Sequence, residues 1–469
     1  MADQDLAFAG LARQAELVRA RDVSPRELVE LYLDRIERLE PQLNAFRVVR
    51  AERALAEAAE AERHRPSDGE APLYGVPIAV KDSQDVAGEL TTHGTGCVDV
   101  PAAEDCEMVR RLRAAGAIVI GKTNLPELAF AMFTESPTWG VTRNPWNTER
   151  VPGGSSGGSG AAVAAGLAAA ATASDGAGSI RYPAAYCSLF GLKPQRGRIP
   201  VDPDVEHWHG MSVNGCLTRG VLDTALFLDV TAGGGLAPDK PPPPQRSFVE
   251  AARTSPGKLR VAVSVKGVRA LAPPMLDERC RDAVEETAKL LGSLGHDVSW
   301  RDPDWGTVGN GVAILYTRGV ADDARSLPNR ERLGRQVRGV ARMGSLIPDP
   351  VLRRTRAATS KHAKRIFRIF EDHDVLLLPV IGEPPVPVKK WSSRGGPWTL
   401  AGMTRRTGFG PPWNYLGNPA AAVPAGLTND GLPLSVQLVG RPNDEATLLS
   451  LAAQLESERP WADQRPPVS

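Results

Sequence analysis

Cysteine is scarce in this chain. The five residues Cys97, Cys106, Cys187, Cys216 and Cys280 are scattered along 469 positions, and no C-x-x-C pair occurs. That excludes a disulfide framework and suits a reducing compartment. Long apolar runs are missing too. With no stretch of about eighteen apolar residues, no membrane span is expected. The opening M-A-D-Q-D-L-A-F-A-G carries acids where a secretory signal needs bases, so a cytoplasmic protein is the expectation. Neither sign of charge is in excess: Lys+Arg 56 against Asp+Glu 55 leaves a formal net charge of +1. Nothing there asks for nucleic acid or an anionic membrane. The chain has no H-E-x-x-H, and His207-Trp208-His209 has no neighbouring Cys or acidic cluster to complete a metal site. A G-x-S-x-G nucleophile elbow is also absent.

What is present is enough apolar material, 42% of residues, to bury a large core in one big domain or two to three ordinary ones. Ser24-Pro25-Arg26-Glu27 reads as a capping box opening a helix, with Leu28, Leu31, Tyr32, Ile36 and Leu39 at helical spacing. A second helix is expected from Ala51 to Glu62. From Gly75 the texture changes to short apolar strands alternating with helices. Gly75 to Asp82 and Ala117 to Ile120 read as buried strands, and Met108 to Ala115 as the helix between them. That alternation predicts an α/β fold with a central mixed, largely parallel β-sheet covered by helices on both faces. Later strands are expected at Lys258–Val265, Val375–Pro379 and Leu434–Gly440. Helices are expected at Asp223–Val230, Asp277–Leu294 and Glu445–Glu456. Residues 318–368 are Arg-rich and helical in texture, which reads as a solvated face. The organisation expected is an N-terminal helical segment (1–65) packed on the core, a main α/β domain (66–458), and a loose tail (459–469). A Pro-rich surface connection near 237–246 interrupts the main domain.

Gly116 to Thr123 matches the phosphate-loop pattern G-x-x-x-x-G-K-[ST]. Its middle residues, Ala-Ile-Val-Ile, belong in a strand and not in a loop around phosphate. Pro126 also sits where the following helix would start, so nucleotide binding is not expected.

The most distinctive stretch runs from Pro152 to Pro183. A Gly/Ser loop (Gly153 to Gly160) leads into an Ala-rich run (Ala161 to Ala171) that reads as a helix. A second Gly/Ser loop, Ser174-Asp175-Gly176-Ala177-Gly178-Ser179, follows. Such loops aim several backbone N–H groups in one direction, as an oxyanion site requires, and a simple tight turn is the alternative. Lys81 ends an apolar strand. Desolvation would lower its pKa and make it a candidate base, while an ion pair with Asp82 or Asp85 would keep it structural.

Together these segments resemble the amidase signature family. The resemblance rests on Gly75–Asp82, Gly121–Asn124, Asn144-Pro145-Trp146, Gly153–Ser159, Ser174–Pro183 and Phe190–Pro194. Thr218-Arg219, Pro419–Gly426 and Gly431–Gly440 add to it, and it runs from about residue 20 to 456. It implies the amidase signature fold and a Ser-cisSer-Lys triad. Ser179 would be the nucleophile, Ser155 the relay serine following a cis peptide, and Lys81 the base. Gly176, Ala177 and Gly178 would form the oxyanion hole with Ser179, Ser156 and Asp175 would support them, and Arg181 would anchor the loop.

The resemblance further implies hydrolysis of a carboxamide to an acid and ammonia or an amine, through an acyl-enzyme. No metal and no organic cofactor would be needed. It also implies pocket walls from Phe130 to Phe133, and the loop tryptophans Trp208, Trp391, Trp398 and Trp413 are candidates to add to them. Ala177 stands where the family has glycine. Its methyl would narrow the acyl pocket, and a positive φ there would cost roughly 1–2 kcal/mol. The alternatives are a glutaminase subunit of a tRNA-dependent amidotransferase, a broad-specificity amide/ester hydrolase, or a non-catalytic binding relative. The partner expected is a small-molecule amide, with no nucleic acid and no membrane, and a homodimer is left open.

Overall fold

The computed structural model describes residues 3–67, 70–237 and 240–469. Part of the Pro-rich connection expected near 237–246 (residues 238 and 239) therefore lies outside the described residues.

Among the described residues, eleven strands form the central layer. They are β1 (Phe46–Val49), β2 (Pro77–Lys81), β3 (Ile118–Thr123), β4 (Ala170–Asp175), β5 (Gly191–Lys193) and β6 (Val213–Leu217). The second half supplies β7 (Arg260–Val263), β8 (Asp297–Trp300), β9 (Val375–Pro379), β10 (Ala420–Leu427) and β11 (Pro433–Gly440). One block is ordered β1-β3-β2-β4-β6 and the other β8-β7-β9-β11-β10-β5. An antiparallel bridge between Phe190 and Thr218, with N–H···O distances of 3.0 and 3.3 Å, stitches the end of β6 to the start of β5. The two blocks thereby become one continuous sheet.

The sheet is mixed, as expected, but parallel pairing does not dominate. Four pairings are parallel and five are antiparallel. Parallel neighbours occur where a helix carries the chain back, as Glu107–Ala114 does between β2 and β3. Where a short turn suffices, as between β10 and β11, the strands run antiparallel. Every position of β2, β3 and β9 is buried, which requires cover on both faces. Helices Ala51–Arg63, Gly157–Ala164 and Glu278–Ser293 supply much of that cover.

Most expected elements form within a few residues of their sequence bounds. The capping box is present: Ser24 Oγ accepts from the Glu27 amide at 3.1 Å, and Glu27 Oε2 from the Ser24 amide at 2.7 Å. The helix it opens, Pro25–Leu43, buries Leu28, Tyr32, Ile36 and Leu39. The Arg-rich region is three helices, Val308–Ser326, Arg335–Ser345 and Asp349–Ile366. Many of its arginines are exposed and pair with acids, as Arg325 does with Asp322 at 2.7 Å, so the solvated-face reading fits. The pseudo-phosphate loop is strand β3.

Two further expectations fail. The Ala-rich run is not one helix. The helix ends at Ala164, Gly166 (φ 66°) turns the chain, and Ala170 onward is β4. Alanine's helical preference is small, and pairing with β2 and β6 overrides it. The tail is docked, not loose. Trp461 is buried and donates from Nε1 to the Arg219 carbonyl at 3.0 Å, and Arg219 bonds the Gln464 carbonyl at 2.7 Å.

Candidate active site

Lys81 is the last residue of β2. Side chains alternate across a strand, so Lys81 and Asp82 point to opposite faces. Asp82 is held by Lys122 at 3.0 Å and Arg47 at 2.8 Å. That leaves Lys81 free of the structural ion pair. Its Nζ lies 2.7 Å from Ser155 Oγ and 2.9 Å from Ser174 Oγ. The side chain is fully buried, and burial pushes its ammonium down to about 7, opposed only in part by the Asp175 carboxylate.

Ser155 lies in the first Gly/Ser loop, after a cis Gly154–Ser155 peptide bond. The loop leads into helix Gly157–Ala164, whose register is fixed from β3. Thr123 Oγ1 bonds Ser159 Oγ at 2.7 Å, and the Gly158 amide reaches the Asn124 carbonyl at 3.1 Å. The residues that mimicked a phosphate loop thus serve as scaffolding: Lys122 neutralises Asp82, and Thr123 and Asn124 seat the Ser155 loop.

Ser179 lies in the second loop, at the end of β4. Ser156 ties the two loops together. Its amide reaches the Ser179 carbonyl at 3.4 Å, and its hydroxyl reaches the Ser174 carbonyl at 3.3 Å. Ser155 and Ser179 open onto one cavity. No hydrogen bond joins their hydroxyls in this geometry, among the described residues.

Asp175 organises the Ser179 loop from beneath. It accepts from the amides of Gly178 at 2.6 Å and Ile180 at 3.1 Å, from Arg181 at 2.9 and 3.0 Å, and from Asn414 at 2.8 Å. Burial alone would raise its carboxyl, but the Arg181 guanidinium outweighs burial and holds it well below the usual carboxylate range. Arg181 is itself fully buried and anchors the loop to Gln437 at 2.7 Å and Asn414 at 2.6 Å.

This corrects one expected donor. The Gly178 N–H is already given to Asp175, so it is not available to an oxyanion. The amides of Gly176, Ala177 and Ser179 are the ones left without a protein acceptor among the described residues. Ala177 also proves unstrained: the left-handed backbone of the loop falls on Gly178 (φ 122°) and not on residue 177.

Two chambers meet at Ser179. One, about 60 Å³, is apolar and lined by Phe130, Ala131, Met132, Ala177, Tyr182 and Met403. The other, about 260 Å³, contains Ser155, Ser174, Gly176, His207, Trp208 and Asp323. Of the expected wall, Phe130 to Met132 contribute, whereas Phe133 stacks on Trp391 with ring centroids 5.1 Å apart. Trp208 lines the larger chamber, Trp413 is in the core and Trp398 is exposed.

Sequence reasoning missed Ser174 as a partner of Lys81, Asn414 as a partner of Asp175, and Asp323. Asp323 receives the Trp208 indole N–H at 2.7 Å and pairs with His207 at 3.2 Å. Ser174 was the findable one. It lies one residue before Asp175, and alternation along β4 places it on the face opposite Asp175. Asn414 and Asp323 are more than a hundred residues away, with no local signal.

The family model described as Amidase matches residues 27–449. AmiB2 of Mycobacterium tuberculosis, named as an amidase, is 48% identical across 99% of this chain and 99% of its own length. The 6-aminohexanoate-cyclic-dimer hydrolase of a Pseudomonas strain is 35% identical, covering 97% of this chain and 95% of that protein. A solved structure of 6-aminohexanoate cyclic dimer hydrolase with substrate superposes with a TM-score of 0.87 at 30% identity, over 98% of this chain and 99% of that one. The peptide amidase of Stenotrophomonas maltophilia gives 0.82 at 26% identity, covering 98% of each chain. The chain therefore belongs to the amidase signature family, enzymes that hydrolyse amide C–N bonds.

Proposed function

We propose that this amidase works through an acyl-enzyme on Ser179, with Ser155 as the proton relay and Lys81 as the base. The observation that carries the reading is the buried Lys81 amine, 2.7 Å from Ser155 Oγ, in a site that also holds Ser179. An amine pushed down to about 7 is substantially neutral at neutral pH and can accept a proton.

Lys81 takes the Ser155 proton, and Ser155 takes that of Ser179 as the latter attacks the amide carbon. The Gly176, Ala177 and Ser179 amides stabilise the oxyanion. The proton then returns through Ser155 to the leaving nitrogen, the C–N bond breaks, and the amine departs. Water attacks the acyl-enzyme by the same relay and releases the acid. The Ser155–Ser179 hydrogen bond is expected to form when substrate binds, as catalytic hydrogen bonds tighten in the Michaelis complex. No step calls on a metal or an organic cofactor.

The test is covalent capture. A fluorophosphonate should label Ser179, and mass spectrometry should place the adduct on the peptide containing it. Ser179→Ala should lose both labelling and turnover. Full amide hydrolysis by Ser179→Ala would refute the mechanism.

A further inference from the structure

The two chambers at Ser179 are chemically unlike, and the relay fixes which part of a substrate enters each. The leaving nitrogen must receive its proton from Ser155. Ser155 and Ser174 open onto the larger, polar chamber, while Ala177 borders the small apolar one. The leaving amine therefore lies in the polar chamber and the acyl group in the apolar one, a division that rests on the acyl-enzyme mechanism through Ser179. About 60 Å³ of apolar space suits a short acyl chain.

The polar chamber carries a charge pattern of its own. Four carboxylates line it, Asp85, Asp202, Asp204 and Asp323, and no Lys or Arg does among the described residues. Two of the four are committed within the protein. Asp323 holds His207 and Trp208, and Asp202 accepts the Leu236 amide at 2.9 Å. Asp85 and Asp204 make no side-chain hydrogen bond or ion pair among the described residues. Asp85 is half-buried in the chamber wall and Asp204 stands at its exposed rim. The Lys122 ammonium and the His93 imidazole interact with Asp85 electrostatically but neither bonds it, so the oxygens of this half-buried carboxylate are open to a visiting cation. Asp82, near the same strand end, shows the contrast: buried on the opposite face, it has both Lys122 and Arg47.

We propose that the leaving group of the substrate carries a second, protonated amine, so that the enzyme cleaves N-(aminoalkyl) amides of short apolar acids. Asp85 and Asp204 are the carboxylates that receive the ammonium. A chamber of about 260 Å³ holds an aminoalkyl group of several carbons. An anionic leaving group would face four carboxylates with no cation other than the imidazoles of His93 and His207, so amides of amino acids with a free carboxylate are disfavoured.

The test uses three amides sharing a butyryl group: N-butylbutyramide, N-(3-aminopropyl)butyramide and N-butyryl-β-alanine. The first two differ only by a methyl against an ammonium at the chain end. The expected order of kcat/KM is cationic, neutral, anionic, with at least a tenfold gap between the first two. In the Asp85→Asn/Asp204→Asn double variant the cationic-to-neutral ratio should fall at least fivefold. Equal or inverted rates on the cationic and neutral amides by wild type would overturn the inference without any variant. So would an unchanged ratio in the double variant. Failure on the cationic amide by an enzyme whose Ser179 still takes a fluorophosphonate would overturn this inference alone. No hydrolysis of any amide together with no labelling of Ser179 would bring down the acyl-enzyme mechanism beneath it.

Discussion

The indole of Trp208 lies against Gly176 so closely that a β-carbon at 176 would come within 2.8 Å of its Cε3. Gly176 has no positive φ, so space and not backbone conformation demands glycine there. Trp208 cannot yield easily. Its N–H is fixed by Asp323, the ring of Tyr316 meets it edge-on at 5.0 Å, and a β-carbon on Gly319 would come within 2.7 Å of it. Gly176→Ala must then displace the loop that carries the proposed oxyanion amides. Loss of one such donor costs about 10²–10³ in kcat. That fall is expected with KM little changed, and a Trp208→Phe second change should recover part of it. Steady-state kinetics on any amide that is turned over decides it, and unchanged kcat in Gly176→Ala would refute the coupling.

Ala177 gives the opposite expectation. Its backbone does not need glycine, and its methyl borders the apolar chamber. Ala177→Gly should keep kcat for a short acyl amide within a few-fold, while improving kcat/KM for a branched acyl amide. It should also lower stability by about 0.4–1 kcal/mol, since a glycine frees the unfolded chain. A matched acyl series and a thermal melt measure both. A large loss on short acyl groups would mean that the methyl positions the loop, beyond narrowing the pocket.

As the proposed base, the Lys81 amine would have to be neutral to act, and burial pushes its ammonium down to about 7. Protonation removes the base, so activity is present above that value and lost as pH falls through it. The kcat/KM profile should show a single acidic limb near neutrality and a plateau on the alkaline side. Ser174 Oγ accepts from Lys81 Nζ at 2.9 Å, and that bond favours the charged amine. Ser174→Ala should therefore shift the limb to lower pH. A profile flat from pH 6 to 9 with chemistry rate-limiting would remove Lys81 as the base.

The parts of the site legible in the sequence were those with local chemistry. A lysine ending an apolar strand reads as a desolvated amine from its neighbours alone. Two Gly/Ser loops flanking small residues read as close backbone approach. The phosphate-loop pattern ending at Lys122-Thr123 is excluded on local grounds too, because Ala-Ile-Val-Ile belongs in a strand. The features that were not legible depend on hydrogen bonds between distant segments or on side-chain direction. The Gly178 amide looked like an oxyanion donor until Asp175 was seen to hold it, a matter of side-chain direction within one turn. The Ala run looked helical throughout because alanine propensity is intrinsic, whereas the pairing that makes Ala170–Asp175 a strand comes from β2 and β6. The balance of parallel and antiparallel pairing is equally non-local, since it depends on which strands become neighbours.

Asp175 and Arg181 form a fully buried pair at 2.9 Å, and each also satisfies backbone or amide groups around Ser179. Removing one charge strands the other. Asp175→Asn leaves the Arg181 guanidinium buried without a counter-ion, a loss of about 3–5 kcal/mol. The Asp175 carboxyl is held well below its ordinary range, so its folded form favours ionisation. Its contribution is therefore full above the unfolded carboxylate value and declines as pH falls below it. The gap in melting temperature between wild type and Asp175→Asn should be widest near neutral pH and narrow as the solution is acidified. Activity should fall as well, because the Gly178 and Ile180 amides that flank Ser179 lose an anionic acceptor. The two effects separate on the activity of the folded fraction. If that fraction at low temperature keeps wild-type kcat, Asp175 holds the fold but does not shape the Ser179 loop.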